Sequence, residues 1–215
     1  MKNVYVTLIL ILTSITVHSQ NSAKAKALLD EVYTKVTSYE NIYIDFKYAL
    51  SNTSEKIYQE TRGNVTMKGN KYLLNYLGAT VIYDGKMVYT VVPENEEVTI
   101  DAKDASDEST VTPSKMLTFY KKGYNYSWDI LQNIKGRKIQ YIELTPIDSN
   151  SEIVKLLLGI DVQTKHIYNL IQIGENKTKT TITVNSFKTD QPLPKTLFTF
   201  DEKKYEEEGY YIIRN

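Results

Sequence analysis

The stretch KYLLNYLGATVIYDGKMVYTVVP, residues 71–93, decides the fold class. Candidate strands cover 71–77, 79–84 and 86–92, and Asp84-Gly85 is a favoured two-residue hairpin turn. Apolar side chains fall on both faces of these strands. Tyr72, Leu74 and Tyr76 point one way, and Leu73 and Leu77 the other; Met87, Tyr89 and Val91 oppose Val88 and Val92. An antiparallel sheet with one face in water alternates more cleanly. The second apolar face therefore has to touch something.

Working outward, NIYIDFKYAL (41–50) alternates Ile42, Ile44, Phe46, Tyr48 and Leu50 with Tyr43, Asp45, Lys47 and Ala49, a half-buried strand. Further strand patterns lie at 56–68, 96–101, 124–134, 137–145, 152–161, 166–173, 177–187 and 196–200. Pro93 with the acidic ENEE marks a turn, DAKDASDEST (101–110) a polar loop, and QPLP (191–194) another loop. Two helical patterns interrupt the strands. The first is AKAKALLDEVYTKVTSY (23–39), with Ser22 as its expected cap and a stripe of Ala25, Leu28, Leu29, Val32, Val36 and Tyr39. The second is TPSKMLTFYKKG (112–123), with Thr112 as cap, Pro113 at the first helical position and Gly123 at its end. Its apolar face is Met116, Leu117 and Tyr120. The tail KKYEEEGYYIIRN (203–215) reads as a last strand or a loose arm. About ten antiparallel strands make a sheet large enough to curl, and a partly curled sheet is naturally covered by the helices on its open side.

The chain has 215 residues, 26 basic and 26 acidic side chains, no cysteine, and 18 tyrosines against 5 phenylalanines. The length suits one domain. Balanced charge without a basic cluster leaves no footprint for nucleic acid. Tyrosine suits strands and surfaces that are apolar in the body and wet at the tip. MKNVYVTLILILTSITVHSQ (1–20) reads as a secretory signal peptide cut after Ser19, leaving residues 20–215 as the mature domain.

Catalytic and metal chemistry have no candidates. Of the two histidines, His18 leaves with the signal peptide, and His166 is expected at a hairpin turn in water. Without cysteine, His/Cys metal sites and Cys-His pairs are excluded, and one histidine supports no Ser-His-Asp constellation. The acid pairs Glu96–Glu97 and Glu206–Glu208 read as solvated turn and tail charges. No catalytic residue, metal or cofactor is expected, so binding is the better reading.

The order of features is specific. An apolar leader and an amphipathic helix precede YIDFKY, RGNVTMKGNKYLLNY, VIYDGKMVY, TPSKMLTFY, IQYIELTP, LLLGIDVQTKHIYNL and a closing FTFD. This resembles the LolA family, periplasmic carriers of outer-membrane lipoproteins, over about residues 22–202. The resemblance implies an incomplete antiparallel β-barrel of about 10–11 strands, with an N-terminal helix, an inserted helical lid and a cavity for acyl chains. Strand parity together with the family's inward positions places Phe46, Tyr48, Leu50, Val65, Met67, Tyr72, Leu74, Tyr76 and Val81 in the cavity, with Met116, Leu117 and Tyr120 as the lid. It implies acylated lipoproteins, an inner-membrane ABC-type release complex and an outer-membrane acceptor as partners, for a monomeric carrier. The family's strand-end Arg-Pro, whose arginine holds the lids shut, is Gly69-Asn70 here. That latch is missing or replaced, for example by Lys68 or Lys71. The same fold also serves lipid-sensing proteins and carriers of other lipids, and a cell-envelope β-protein with a filled core is the remaining alternative.

Overall fold

The computed structural model describes residues 2–102 and 113–215, with side chains from 20 to 102 and from 113 to 215. Most of the expected loop at 101–110 and the expected cap Thr112 lie outside the described residues. The chain opens with α1 (Lys2–Thr37), followed by β1 (Ile42–Asn52), β2 (Ile57–Lys68), β3 (Lys71–Tyr76), β4 (Ala79–Tyr83), β5 (Met87–Val92) and β6 (Glu97–Ala102). The short α2 (Pro113–Met116) precedes β7 (Tyr124–Ile134), β8 (Arg137–Pro146), β9 (Ile153–Asp161), β10 (Ile167–Gly174) and β11 (Lys179–Thr189). The chain ends in α3 (Glu202–Glu207) and β12 (Tyr211–Arg214). It is mainly β, with twelve strands among the described residues where ten or eleven were counted from the sequence. The strands run as open sheet, and no strand pairing among the described residues closes them into a barrel. The elements belong to two compact units: Met1–Thr37 with Tyr120–Lys179, and Ser38–Phe119 with Thr180–Asn215.

In the first unit β7, β8, β9 and β10 form an antiparallel meander. The register sets Ile142 opposite Leu158 and Leu144 opposite Leu156, so alternation gathers one aliphatic layer on one face. Trp128 and Tyr126 of β7 extend it by standing opposite Ile142 and Leu144. α1 packs along β7, with Ala25, Leu28, Leu29, Val32 and Val36 buried as the helical spacing requires. Ile142, Leu144, Leu158 and Ile160 all have 0% exposure. Each such burial contributes about 1.5–3 kcal/mol. The polar side of α1 is tied down by Asp30, which accepts from Lys26 and Lys121, both at 2.6 Å, and by Lys24, whose Nζ lies 4.1 Å from the Trp128 ring centroid. These exposed contacts orient the helix more than they stabilise it. Between Trp128 and Leu131 the register slips in a β-bulge. Buried Gln140 answers it, its Nε2 donating to the Asp129 carbonyl at 2.7 Å, so that this carbonyl keeps a partner.

In the second unit the strand order is β12-β6-β5-β4-β3-β2-β1-β11. From β1 to β6 each strand pairs antiparallel with the next. Turn chemistry sets these hairpins. Asp84 Oδ1 accepts from the N–H groups of Lys86 at 2.8 Å and Met87 at 2.9 Å, shaping the expected Asp84-Gly85 turn. Between β3 and β4 the turn is Leu77-Gly78, with φ of 52° and 76°. Two positive φ values match the right-handed twist of a tight hairpin. Glycine takes that conformation freely, whereas leucine does so rarely.

The tail resolves the choice between strand and arm. Asp201 caps α3, its side chain accepting from the Lys204 N–H at 3.2 Å. β12 then pairs in parallel with β6, Ile212 opposite Val98. Phe200, Tyr205, Tyr210 and Ile212 pack on Val91, Val98 and Ile100, with Met87 and Tyr89 beside them. The Phe200 ring stacks on Tyr89 with centroids 4.5 Å apart and on Tyr205 at 5.1 Å. This is what Met87, Tyr89 and Val91 of the opening stretch touch, while Leu77 is 68% exposed.

Several sequence expectations need correction. Ser22 caps nothing, because α1 already starts at Lys2 and runs through it. Residues 196–200 are not a strand: the N–H of Leu197 bonds the Pro194 carbonyl at 3.1 Å, and that of Thr199 the Thr196 carbonyl at 3.0 Å. Two prolines just upstream favour turns over a ladder. The helix expected across 112–123 is only α2 and a separate 3₁₀ turn at Phe119–Lys121. β-Branched Thr118 and aromatic Phe119 and Tyr120 are poor continuations of an isolated helix. His166 is half-buried rather than in water, and burial, followed by the Lys35 charge, pushes its pKa down.

Candidate functional site

The register of the second unit assembles the expected cavity residues into rows. Ile42, Met67, Tyr72 and Tyr83 stand in one row across β1–β4. The next row is Ile44, Val65, Leu74 and Val81, followed by Phe46, Gly63, Tyr76 and Ala79. Tyr48 and then Leu50 lie beyond them on β1, opposite Thr61 and Gln59. Phe46, Tyr48, Leu50, Val65, Met67, Tyr72, Leu74, Tyr76 and Val81 therefore share one face. Across β1–β4 that face carries no Asp, Glu, Lys, Arg or His.

Burial falls along the face. The first row is closed, with Ile42 at 6%, Met67 at 4%, Tyr72 at 6% and Tyr83 at 6% exposure. In the second row Ile44 and Val65 are buried while Leu74 and Val81 are half-buried, and Phe46, Tyr48, Leu50 and Tyr76 are half-buried as well. Apolar side chains thus stay partly open on an uncharged surface. Of the expected lid, Leu117 is buried and Met116 is 37% exposed. Tyr120 is fully buried in the first unit, where the Tyr126 hydroxyl donates to its carbonyl at 2.7 Å. Within the second unit α2 lies against β2.

Aromatic contacts hold the open rows in shape. The Tyr76 ring lies 5.9 Å from Phe46 and 5.6 Å from Tyr48, the latter edge-on. Gly63 makes this possible, since a Cβ there would sit 2.5 Å from Phe46 Cζ and 2.8 Å from the Asn75 carbonyl oxygen. Phe46 covers the gap that glycine leaves. Burial, then the neighbouring Tyr83, pushes the Tyr72 hydroxyl pKa up; burial, then Tyr48, does the same for Tyr76. Both phenols stay neutral at physiological pH, and the face keeps zero charge.

The opposite face of the same strands is mixed: Asp45, Lys47, Glu60, Arg62, Asn64, Thr66, Lys68, Lys71 and Asn75 make it mostly polar, and Tyr43, Leu73 and buried Ile82 form one apolar row across it. Its cross-strand Asn row escaped the sequence reading, because partners come from strands whose register composition does not reveal. Lys68 and Lys71, named as possible replacements for the family arginine, face each other at the β2–β3 turn and are exposed. The Lys71 stem lies near Gly85, and its charge helps lower the pKa of Asp84. Burial pushes that carboxyl up, but the Met87 and Lys86 N–H groups and the Tyr89 hydroxyl outweigh it.

A family model described as outer membrane lipoprotein carrier protein LolA matches residues 37–201. A comparison with curated proteins returns no match. Among solved structures, an uncharacterized conserved protein from Thermus thermophilus is similar at TM-score 0.56 and 10% identity, over 89% of this chain and 99% of that one. Lipoprotein LppX of Mycobacterium tuberculosis is similar at TM-score 0.49 and 15% identity, over 79% and 98%. A LolA superfamily protein of Nitrosomonas europaea is similar at TM-score 0.41 and 13% identity, over 82% and 97%.

Proposed function

Because the chain belongs to the LolA family of outer membrane lipoprotein carrier proteins, we propose that it carries acylated lipoproteins through the periplasm on the uncharged face of β1–β4. The observation behind this reading is the gradient along that face, from the closed row at Met67 and Tyr72 to the half-open rows at Leu74, Tyr76, Val81, Phe46, Tyr48 and Leu50. Residues 1–19 serve as a cleaved signal peptide, and 20–215 act as a monomeric carrier. It receives its cargo from an inner-membrane ABC-type release complex and passes it to an outer-membrane acceptor.

The physics sets the task. Each buried CH₂ contributes about 0.8 kcal/mol, so a chain of roughly fourteen methylenes costs on the order of 11 kcal/mol to hold in water. A carrier has to offset most of that and still release. Tyr and Met suit both demands: Tyr keeps its hydroxyl near water, and Met adapts its shape. Met116 and Leu117 belong to the proposed lid and, with no arginine latch, close it by apolar contact. Tyr120, packed in the first unit, marks the end of that segment.

Uptake of a fluorescent fatty-acid analogue tests the proposal. Wild-type protein takes it up saturably, whereas Leu74→Glu abolishes uptake and leaves the circular dichroism unchanged, because a half-exposed carboxylate stays hydrated. No uptake by wild type ends the carrier reading. An unfolded Leu74→Glu protein would assign this face to an ordinary core, where an unpaired charge is costly. Mass spectrometry of protein purified from its own periplasm then separates lipoprotein cargo from free phospholipid or glycolipid.

A further inference from the structure

We propose that the polar face of the second unit carries a carbohydrate site, in the groove over β2, β3 and β4. The groove is broadly open to solvent and has a volume of about 340 Å³, with Asp45, Arg62, Asn64, Asn75, Leu77 and Thr80 among its lining. The register puts Asp45 beside Asn64, Asn64 beside Asn75, and Asn75 beside Thr80, on the face opposite the apolar rows. Thr80 Oγ1 donates to Asn75 Oδ1 at 2.8 Å, and Asn75 Nδ2 donates to Asn64 Oδ1 at 3.0 Å. From the other side, Asn185 Nδ2 donates to Asp45 Oδ1 at 2.8 Å.

The two runs stop one strand apart. Among the described residues no hydrogen bond joins Asn64 to Asp45, so Asn64 has an amide donor and Asp45 a carboxylate oxygen left to use. A hydroxyl is the group that accepts and donates at a single atom. It takes the Asn64 N–H and gives its own proton to Asp45, making the row continuous. A phosphate fits badly, because Asp45 repels it, and an ammonium has nothing to offer the Asn64 donor.

Two neighbours point to a sugar ring rather than a simple alcohol. Arg62, one step along β2 toward Tyr58 and exposed, makes no hydrogen bond or ion pair among the described residues, so its fork is available to a second hydroxyl. Leu77, 68% exposed in its left-handed turn, gives the rim an apolar surface for the C–H face of a pyranose. Thr61, Gly63, Tyr76 and Ala79, whose side chains belong to the apolar rows, also border the groove, but the polar groups that would hold the ligand are Asp45, Arg62 and Asn64, and its class is a neutral saccharide.

The test is an NMR titration of isotope-labelled protein with glucose, N-acetylglucosamine and chitobiose, read at the side-chain NH₂ signals of Asn64 and Asn75. At least one saccharide shifts them saturably with a millimolar Kd, and Asp45→Ala and Asn64→Leu each weaken that binding about tenfold or more. Both variants keep the fatty-acid uptake of wild type, which separates this site from the carrier reading. The proposal is overturned if none of the three saccharides shifts the signals, if inorganic phosphate shifts them equally well, or if both variants bind as wild type does.

Discussion

The two units use the same sheet chemistry to opposite ends. In the first, Leu29, Val32, Ile139, Ile142, Leu144, Leu158 and Ile160 are fully buried or within 1% of it. In the second, Val98 is the only one among the largest fully buried side chains of the described residues, and it belongs to the end sealed by the C-terminal tail. The uncharged face of β1–β4 instead leaves Leu74, Tyr76, Val81 and Phe46 half-buried. A dense interior stabilises, while a half-open one leaves apolar surface for a ligand. Alternation alone produces both, and they differ in what stands over the face.

The largest test of this contrast is a pair of truncations. Leu158→Ala removes a fully buried side chain and costs about 2–5 kcal/mol in urea denaturation. Leu74→Ala, on the half-open face, costs about 1 kcal/mol or less. Equal costs would break the comparison and turn the open face into a core.

A smaller effect concerns the tail. Tyr205 stacks on Phe200 at 5.1 Å and meets Tyr210 edge-on at 5.1 Å. Tyr205→Ala is expected to cost about 1–2 kcal/mol, mostly area and stacking. Limited proteolysis then cuts between residues 201 and 215 before the remainder of the chain. A tail that stays as resistant as in wild type would mean that β12 alone holds it.

The smallest effect is electrostatic and belongs to the closed unit. Asp161, whose side chain is 5% exposed, accepts from Arg137 Nε at 2.7 Å and from the Gln163 and Thr164 N–H groups at 2.9 Å and 3.1 Å. Burial pushes its carboxyl up, but the Arg137 bond, then the Thr164 and Gln163 N–H groups, hold it below the ordinary carboxylate value. A carboxyl with a lowered folded pKa contributes stability above its unfolded value, about 3.9, and loses it as pH falls through the folded one. The stability gap between wild type and Asp161→Asn therefore narrows below about pH 4. A gap independent of pH would remove the charge from the account.

Much of the local structure was legible in the sequence. The 41–50 alternation became β1, the Asp84-Gly85 signal became a turn, and the helical stripe from Ala25 to Val36 was buried as spaced. These features depend on neighbours two to four residues apart, where backbone period and turn chemistry act. Parity likewise gathered Phe46, Leu74 and Tyr76 on one face, because a strand's side-chain period is two. Legibility stopped at 196–200, where strand-forming residues yielded to prolines, and at Ser22, where a helix ran on through its expected cap.

By itself, then, the sequence determined a mainly antiparallel protein of the LolA type, with one face of β1–β4 free of charge. Tertiary structure decided which apolar surface is used up. The tail's Phe200, Tyr205 and Tyr210 cover Val91, Val98 and Ile100, and the register lines up Asp45, Asn64, Asn75 and Thr80. The polar row follows once each hairpin's register is set, Asn64–Asn75 and Asn75–Thr80 being only 11 and 5 residues apart, whereas the tail contact joins residues far apart in the chain. Contacts of that kind are set by packing free energy summed over the whole molecule, and no local pattern of side chains encodes them.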